Sequence, residues 1–360
     1  MATTENLLSS TGVAGAVEIF RPAGRAYQTL NNRVTDPAQF LGAMENVSRV
    51  ADENGRRRWV LRARTTPDVI QDLNKVGVKP SVNLPLSEIG LGSDSLITVD
   101  HNAHASDVPE WDAVYADWKK DRTHPDPVDQ VNQMPTGFSL TRSFGIQDRE
   151  TLYELWKPFG WTREKISNFI DTYQANDALW VSGVRDENGQ LASACMGEAL
   201  VFDGIYMVEA TEFGTRVDLR RKNLSALALI GLNAQIIQRA RYEEGHMPLI
   251  ISEYNMDPNS RSDNVGRKTG MTIPGVENVQ DLTEPTQVLS RNVAVLDGGK
   301  PNDLAFHSLS DEDKQKYRNA YRDPFKYWRN FIVGMMTENN MDRYYSQEQV
   351  TQILSKFCEN

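Results

Sequence analysis

The sequence predicts a mixed α/β protein of the α+β kind: a mostly antiparallel sheet flanked by helices, with an N-terminal α/β companion domain and a C-terminal helical extension. Three observations lead there. Helical patterns in the first third surround a strand-like segment, and a helix that follows a strand is an α/β element. Around E-N-G at 187–189 two apolar strand patterns face each other as a hairpin. A long apolar helical pattern then opens at Leu224, shortly after a strand that runs to Thr215.

Residues 1–135 make up the companion domain and its linker. D-P-A-Q-F-L-G-A-M-E-N-V and T-P-D-V-I-Q-D-L-N-K-V-G-V read as helices separated by strand-like R-W-V-L-R-A-R, and Gly77 ends the second helix. From 101 to 135, Pro109, Pro125, Pro127 and Pro135 mark a connecting segment with a short helix at W-D-A-V-Y-A-D-W. The second domain spans 136–300. F-S-L-T-R-S-F alternates as a strand, R-E-T-L-Y-E-L-W and T-R-E-K-I-S-N-F-I-D-T-Y are two helices, and A-L-W-V-S-G-V and L-A-S-A-C-M-G-E-A-L are the hairpin. Next come the strand up to Thr215 and the helix in which Leu224, Leu227, Ala228, Ile230, Leu232, Ile236 and Ile237 return to one side, stopping at Gly245. P-L-I-I-S-E-Y-N is another strand, N-S-R-S-D-N-V-G-R-K a short polar helix, and T-Q-V-L-S-R-N-V-A-V-L a last strand. The third part, 301–360, reads as amphipathic helices, Y-W-R-N-F-I-V-G-M-M among them, with Ser310 and Ser346 placed as N-caps.

Composition excludes several classes. With 360 residues, 39% of them apolar, the chain has material for two domains. A net charge of −10 repels a phosphate backbone at long range, which argues against a nucleic-acid partner, and attracts a small cationic amine. Cys195 and Cys358 are the only cysteines, so no disulfide framework or cysteine metal site is expected, and the simplest setting is reducing. His101 and His104 lack a third ligand at zinc spacing. Neither a signal peptide nor an apolar run of spanning length is visible, so the expectation is a cytoplasmic protein with no membrane partner.

The chemistry concentrates at 206–226. A helix whose first N–H groups have no intrahelical partner, and whose macrodipole adds about half a positive charge, holds an anion. Arg220, Arg221 and Lys222 stand at the mouth of the Leu224 helix, and the backbone from Arg221 through Lys222, Asn223 and Leu224 to Ser225 supplies the cradle. The strand before it carries Glu209 and Glu212, which strand alternation sets on opposite faces unless a bulge intervenes.

These residues resemble the GNAT superfamily of acyl-CoA-dependent N-acyltransferases. Arg220-Arg221-Lys222-Asn223-Leu224-Ser225 fits the pyrophosphate loop R/Q-x-x-G-x-G/A, with Asn and Ser in the two small-residue places. Asn259, Ser262, Val265, Gly266, Lys268, Gly270 and Met271 follow the second motif, N-x-x-A-x-x-L-Y-x-K-x-G-F. Within the superfamily, Glu209-Ala210-Thr211-Glu212-Phe213-Gly214-Thr215 ahead of the Arg220 loop is similar to the core of bacterial beta-lysine N-acetyltransferases. The likeness runs over about residues 136–298.

The resemblance implies acetyl-CoA as co-substrate, no metal, and direct attack of a primary amine on the thioester. An aliphatic ammonium with a pKa of about 10 must lose a proton first, and a carboxylate can take it. Glu209, at the offset where similar enzymes place that carboxylate, is the first candidate and Glu212 the second. Phe213, Gly214 and Thr215 would pair with the pantetheine arm, and Asn259 would touch the cofactor or cap its helix. Glu253 and Asn255 are candidates for holding the substrate. Where many members have a tyrosine that protonates the leaving thiolate, this chain has Gly266, which leaves Tyr254 or a water as general acid. The acceptor is expected to be a small amine such as a diamino acid. An amine on a macromolecule and a non-catalytic binding role stay open, and a homodimer is compatible with the family.

Overall fold

The computed structural model describes residues 17–20, 25–54, 58–80, 82–89, 92–102, 124–157, 161–202, 205–255, 263–277 and 331–357. In the first part the chain runs β1 (Glu18–Phe20), β2 (Arg25–Val34), α1 (Pro37–Glu53), β3 (Arg58–Thr65), α2 (Pro67–Lys75), β4 (Val82–Pro85) and β5 (Ser95–Asn102). α3 (Pro127–Asn132), β6 (Ser139–Thr141), α4 (Arg149–Trp156) and α5 (Arg163–Thr172) follow. After these come β7 (Leu179–Arg185), β8 (Leu191–Phe202), β9 (Ile205–Thr215), α6 (Leu224–Ile237) and β10 (Leu249–Asn255). The described chain closes with α7 (Asp263–Lys268), β11 (Thr272–Glu277), β12 (Phe331–Met336), α8 (Glu338–Tyr344) and α9 (Gln347–Leu354).

The strands form one sheet in the order β1-β2-β3-β5-β4-β11-β12-β10-β9-β8-β7-β6. β2 with β3 and β9 with β10 are parallel, and the other neighbours are antiparallel. The N-terminal strands join the rest through β4 and β11, where Val82 pairs with Gly275.

Local chemistry accounts for most helix starts. Asp36 and Thr66 cap α1 and α2 with side-chain oxygens, each followed by a proline whose fixed φ suits the first turn. Thr162 caps α5 and Asp126 caps α3 in the same way. Beyond α2, Gly77 takes the left-handed φ of +84° that ends a helix.

Helix α6 covers one face of β7–β9. Nearly every residue from Leu224 to Ile237 is buried, Ala226, Leu229, Gly231, Asn233 and Ala234 included. The expected one-sided stripe is therefore corrected: α6 is an internal helix, apolar all round because it has neighbours on all sides. Val350, Ile353 and Phe357 from the C-terminus and Val131 of α3 complete that core. On the other face of the sheet, α4 and α5 pack an aromatic cluster in which Trp156, Trp161 and Phe169 meet at 5.1–5.5 Å between ring centroids.

Three further readings change. Residues 331–336, expected as helix in Y-W-R-N-F-I-V-G-M-M, form strand β12 between β10 and β11. A slot between two strands leaves two edges of backbone donors and acceptors to satisfy, and that requirement overrides a helical period. The described part of the extension, from residue 331, is thus a strand followed by two helices. Strands β2, β4 and β5 join the anticipated β3 in the first part. The predicted strand at 286–296, the helix at 111–118 and the Ser310 cap lie outside the described residues.

Candidate functional site

Strands β9 and β10 run side by side only briefly. Leu249, Ile250 and Ile251 pair with Met207, Val208 and Glu209. Beyond that, β10 follows β12 out to Asn255 while β9 follows β8 to Thr215. At the fork, the Ser252 hydroxyl donates to the Ala210 carbonyl at 2.8 Å. A parallel pair that splays in this way opens a cleft in the sheet, and the backbone beyond Ala210 gains no strand partner on that side among the described residues.

A β-bulge shapes one wall. Between Ala194 and Met196 the register shifts, so that Glu212 and Phe213 both stand against Cys195, and Glu212 takes φ +59°. This is the bulge under which the opposite-face alternation was not expected to hold. The bulge resets the alternation, and Glu212 comes under the influence of Glu209 and of Glu198, the residue directly across from Glu209 on β8. Burial pushes the Glu212 carboxyl up to about 8, the neighbouring Glu209 and Glu198 carboxylates add to the rise, and the Trp161 indole opposes it by donating a hydrogen bond. Its Oε2 is enclosed with no hydrogen-bond partner. Lys165 of α5 also acts on it. Glu212 therefore stays protonated through neutral pH.

The loop ahead of α6 is left-handed at two non-glycine positions, Arg221 (φ +70°) and Asn223 (φ +63°). Asn223 occupies the first small-residue place of the loop pattern, and asparagine is the residue that tolerates this conformation best after glycine. It caps α6 without a side-chain hydrogen bond, so no side chain takes the N–H groups of the first turn. Ser225, in the second small-residue place, turns its hydroxyl to Thr215 at 2.6 Å, and Thr215 in turn meets Ser193 at 2.9 Å. The Ser225 hydroxyl is thus tied to the strand. Arg220, Arg221 and Lys222 are exposed, and Lys222 lies 5.4 Å over the Phe138 ring.

Gly214 is explained by packing. A Cβ there would come within 2.7 Å of Leu155 Cβ, so its bareness makes room for α4. Phe213 is half-buried against the α6 core. Glu253, Tyr254 and Asn255 end β10, their backbone paired with Val333, Ile332 and Phe331. Gly266 accepts hydrogen bonds from the Thr269 and Met271 N–H groups at the end of α7. Asn259 lies outside the described residues. Glu198, Trp161, Ser252 and Gln130 were not singled out in the sequence; a glutamate inside an apolar strand pattern, as at 198, was the one available signal.

No family model matches the chain, and no curated protein matches it. Among solved structures it is similar to spermidine N-acetyltransferase from Vibrio cholerae in complex with CoA and spermine, at 8% identity and TM-score 0.36 over 57% of this chain and 98% of that one. It is similar to ribosomal-protein-S5-alanine acetyltransferase from Vibrio fischeri, at 10% identity and TM-score 0.35 over 59% and 97%. A third is glucosamine-6-phosphate N-acetyltransferase from Arabidopsis thaliana, at 14% identity and TM-score 0.28 over 36% and 90%.

The arrangement brings together a helix start without a side-chain cap, the end of the β9–β10 pairing, and the carboxylates of Glu209 and Glu212. Among the described residues no cluster of histidine, cysteine, aspartate or glutamate could hold a metal, and no helix is long and apolar enough to cross a membrane.

Proposed function

We propose that the chain is an acetyl-CoA-dependent N-acetyltransferase that acts on a primary amine of a small molecule such as a diamino acid. The observation that carries this reading is the fork between β9 and β10, which opens beside the uncapped first turn of α6. A pantetheine arm is an extended chain with amides, suited to the β9 backbone from Phe213 to Thr215. Its pyrophosphate would meet the N–H groups from Arg221 to Ser225, with Arg220 and Lys222 adding charge.

In this reading the amine nitrogen attacks the thioester carbonyl carbon, backbone N–H groups stabilise the oxyanion, and the carbon–sulfur bond then breaks. Glu209 takes the ammonium proton. Glu212 keeps its own proton at neutral pH and limits the negative charge facing the nucleophile. The departing thiolate receives a proton from Tyr254 or from water, and the second proton that the nitrogen loses as the amide forms restores that donor. Glu253 and Asn255, at the end of β10, would hold the rest of the acceptor.

Calorimetric titration with acetyl-CoA and with coenzyme A, in the absence of an acceptor, tests the reading. Micromolar binding is expected, and it should fall when Arg220 and Lys222 are both replaced by alanine. No binding to the parent protein would replace the catalytic reading with that of a non-catalytic member of the fold.

A further inference from the structure

Asn223 is held from two sides by residues far from it in sequence. Lys268 Nζ, at the end of α7, donates to Asn223 Oδ1 at 2.7 Å. Asn223 Nδ2 donates to Gln130 Oε1 of α3 at 3.3 Å. Gln130 Nε2 donates to the Lys268 carbonyl at 2.5 Å, and it also reaches the Pro125 carbonyl at 3.3 Å. The two amide side chains, the Lys268 ammonium and the Lys268 backbone carbonyl therefore close a ring, with both ends of both amides engaged. Gln130 is buried, and an amide in that position costs free energy unless it is satisfied, so the ring has one low-energy arrangement.

The ring acts on one of the loop's two left-handed residues, the one directly before the helix. A non-glycine residue at φ +63° sits in a conformation that L side chains rarely adopt. A glycine there would need no support. An asparagine needs a reason to stay left-handed, and it offers a side chain by which it can be held. The usual local reason, a side-chain cap on the helix it precedes, is not used.

We infer that Gln130 and Lys268 are positioning residues that lock Asn223 in its left-handed conformation and so preform the anion cradle at the start of α6. This role rests on the proposed coenzyme A site for its functional meaning, but not for its structural content. Neither residue has to touch the ligand. α3 is held in turn from the C-terminus, where Gln349 Nε2 donates to the Asp126 cap at 3.0 Å.

A double-substitution cycle on the full chain tests the inference with two readouts, coenzyme A affinity by calorimetry and amide hydrogen exchange of residues 221–226 without ligand. In the parent background, Gln130→Ala should weaken coenzyme A binding about tenfold and speed exchange across the loop, with kcat at saturating cofactor unchanged. In an Asn223→Gly background, where the backbone needs no holding, the same substitution should change affinity and exchange by less than about twofold. Equal effects in both backgrounds would overturn the positioning role in favour of a general packing role. Unchanged exchange in the parent would overturn it too. If Gln130→Ala destabilises the fold, Lys268→Met supplies the second arm, and the same dependence on Asn223 is expected. Exchange that follows this pattern in a protein that binds no coenzyme A would uphold the lock and refute the functional reading, so the two can fail separately.

Discussion

Glu212 shows how one backbone angle sets a side chain's chemistry. A regular strand would have turned it away from Glu209; the bulge at φ +59° brings it into a cluster of carboxylates under the Trp161 indole. Its unfolded pKa lies near 4.5 and its folded value near 8. Between those limits the native state binds one more proton than the unfolded chain, so stability falls as pH rises, by about 1.4 kcal/mol per unit from this group alone. Glu212→Gln removes that slope. Its melting temperature should gain on the parent's steadily from pH 5 to pH 8, and parallel curves would show that the carboxyl is already ionised in the fold. Glu209→Gln is expected to leave coenzyme A affinity as it is and to lower turnover at least about tenfold, the usual range for loss of a general base. At this scale the sequence was legible at the start of α6, where Arg220, Arg221 and Lys222 were expected just ahead of Leu224 and stand there, exposed. The Glu212 bulge was not legible, because it depends on how Cys195 and its neighbours on β8 register with β9.

Elements that carry their own start and stop signals were the easiest to read. Asp36-Pro37 and Thr66-Pro67 announce α1 and α2, and the boundaries of α4 coincide with R-E-T-L-Y-E-L-W. Ser346 was expected as a cap and is one, in a reciprocal box in which Gln349 N donates to Ser346 Oγ and Ser346 N donates to Gln349 Oε1 at 3.0 Å. Ser346→Ala should cost about 1 kcal/mol, read as a lower urea midpoint with an unchanged slope. Because α9 packs on α6, a change in slope would instead mean that the helix detaches before the core unfolds. F-I-V-G-M-M was misread because six apolar residues fit a buried strand or a helix turn equally well. Which of the two forms is decided by the β10 and β11 edges, and those are distant in sequence. The same holds for α6: its pattern gave the helix, but only its neighbours reveal that all its sides are covered.

For the whole molecule, a net charge of −10 surrounds a site whose loop is basic. In the proposed function, the long-range field would favour a cationic acceptor, while the local charges of Arg220, Arg221 and Lys222 would hold an anionic cofactor. Raising ionic strength from about 0.05 to about 0.5 M shortens the reach of that field to a few ångströms. KM for the amine should rise while kcat stays constant; a KM that does not respond to salt would mean that capture is purely local. The sheet's connectivity adds a constraint of another kind. β10, which forms one lip of the cleft, completes its pairing only when β12 enters beside it, and β12 begins at residue 331. During synthesis at roughly 5–20 residues per second, the ribosome would thus expose an apolar strand edge for several seconds before its partner emerges. The two halves of the sheet, otherwise joined through β11 and β12, would be stitched together last. That order leaves the edge open to pairing between chains in the meantime, and a slow, concentration-sensitive refolding phase should be its signature in vitro.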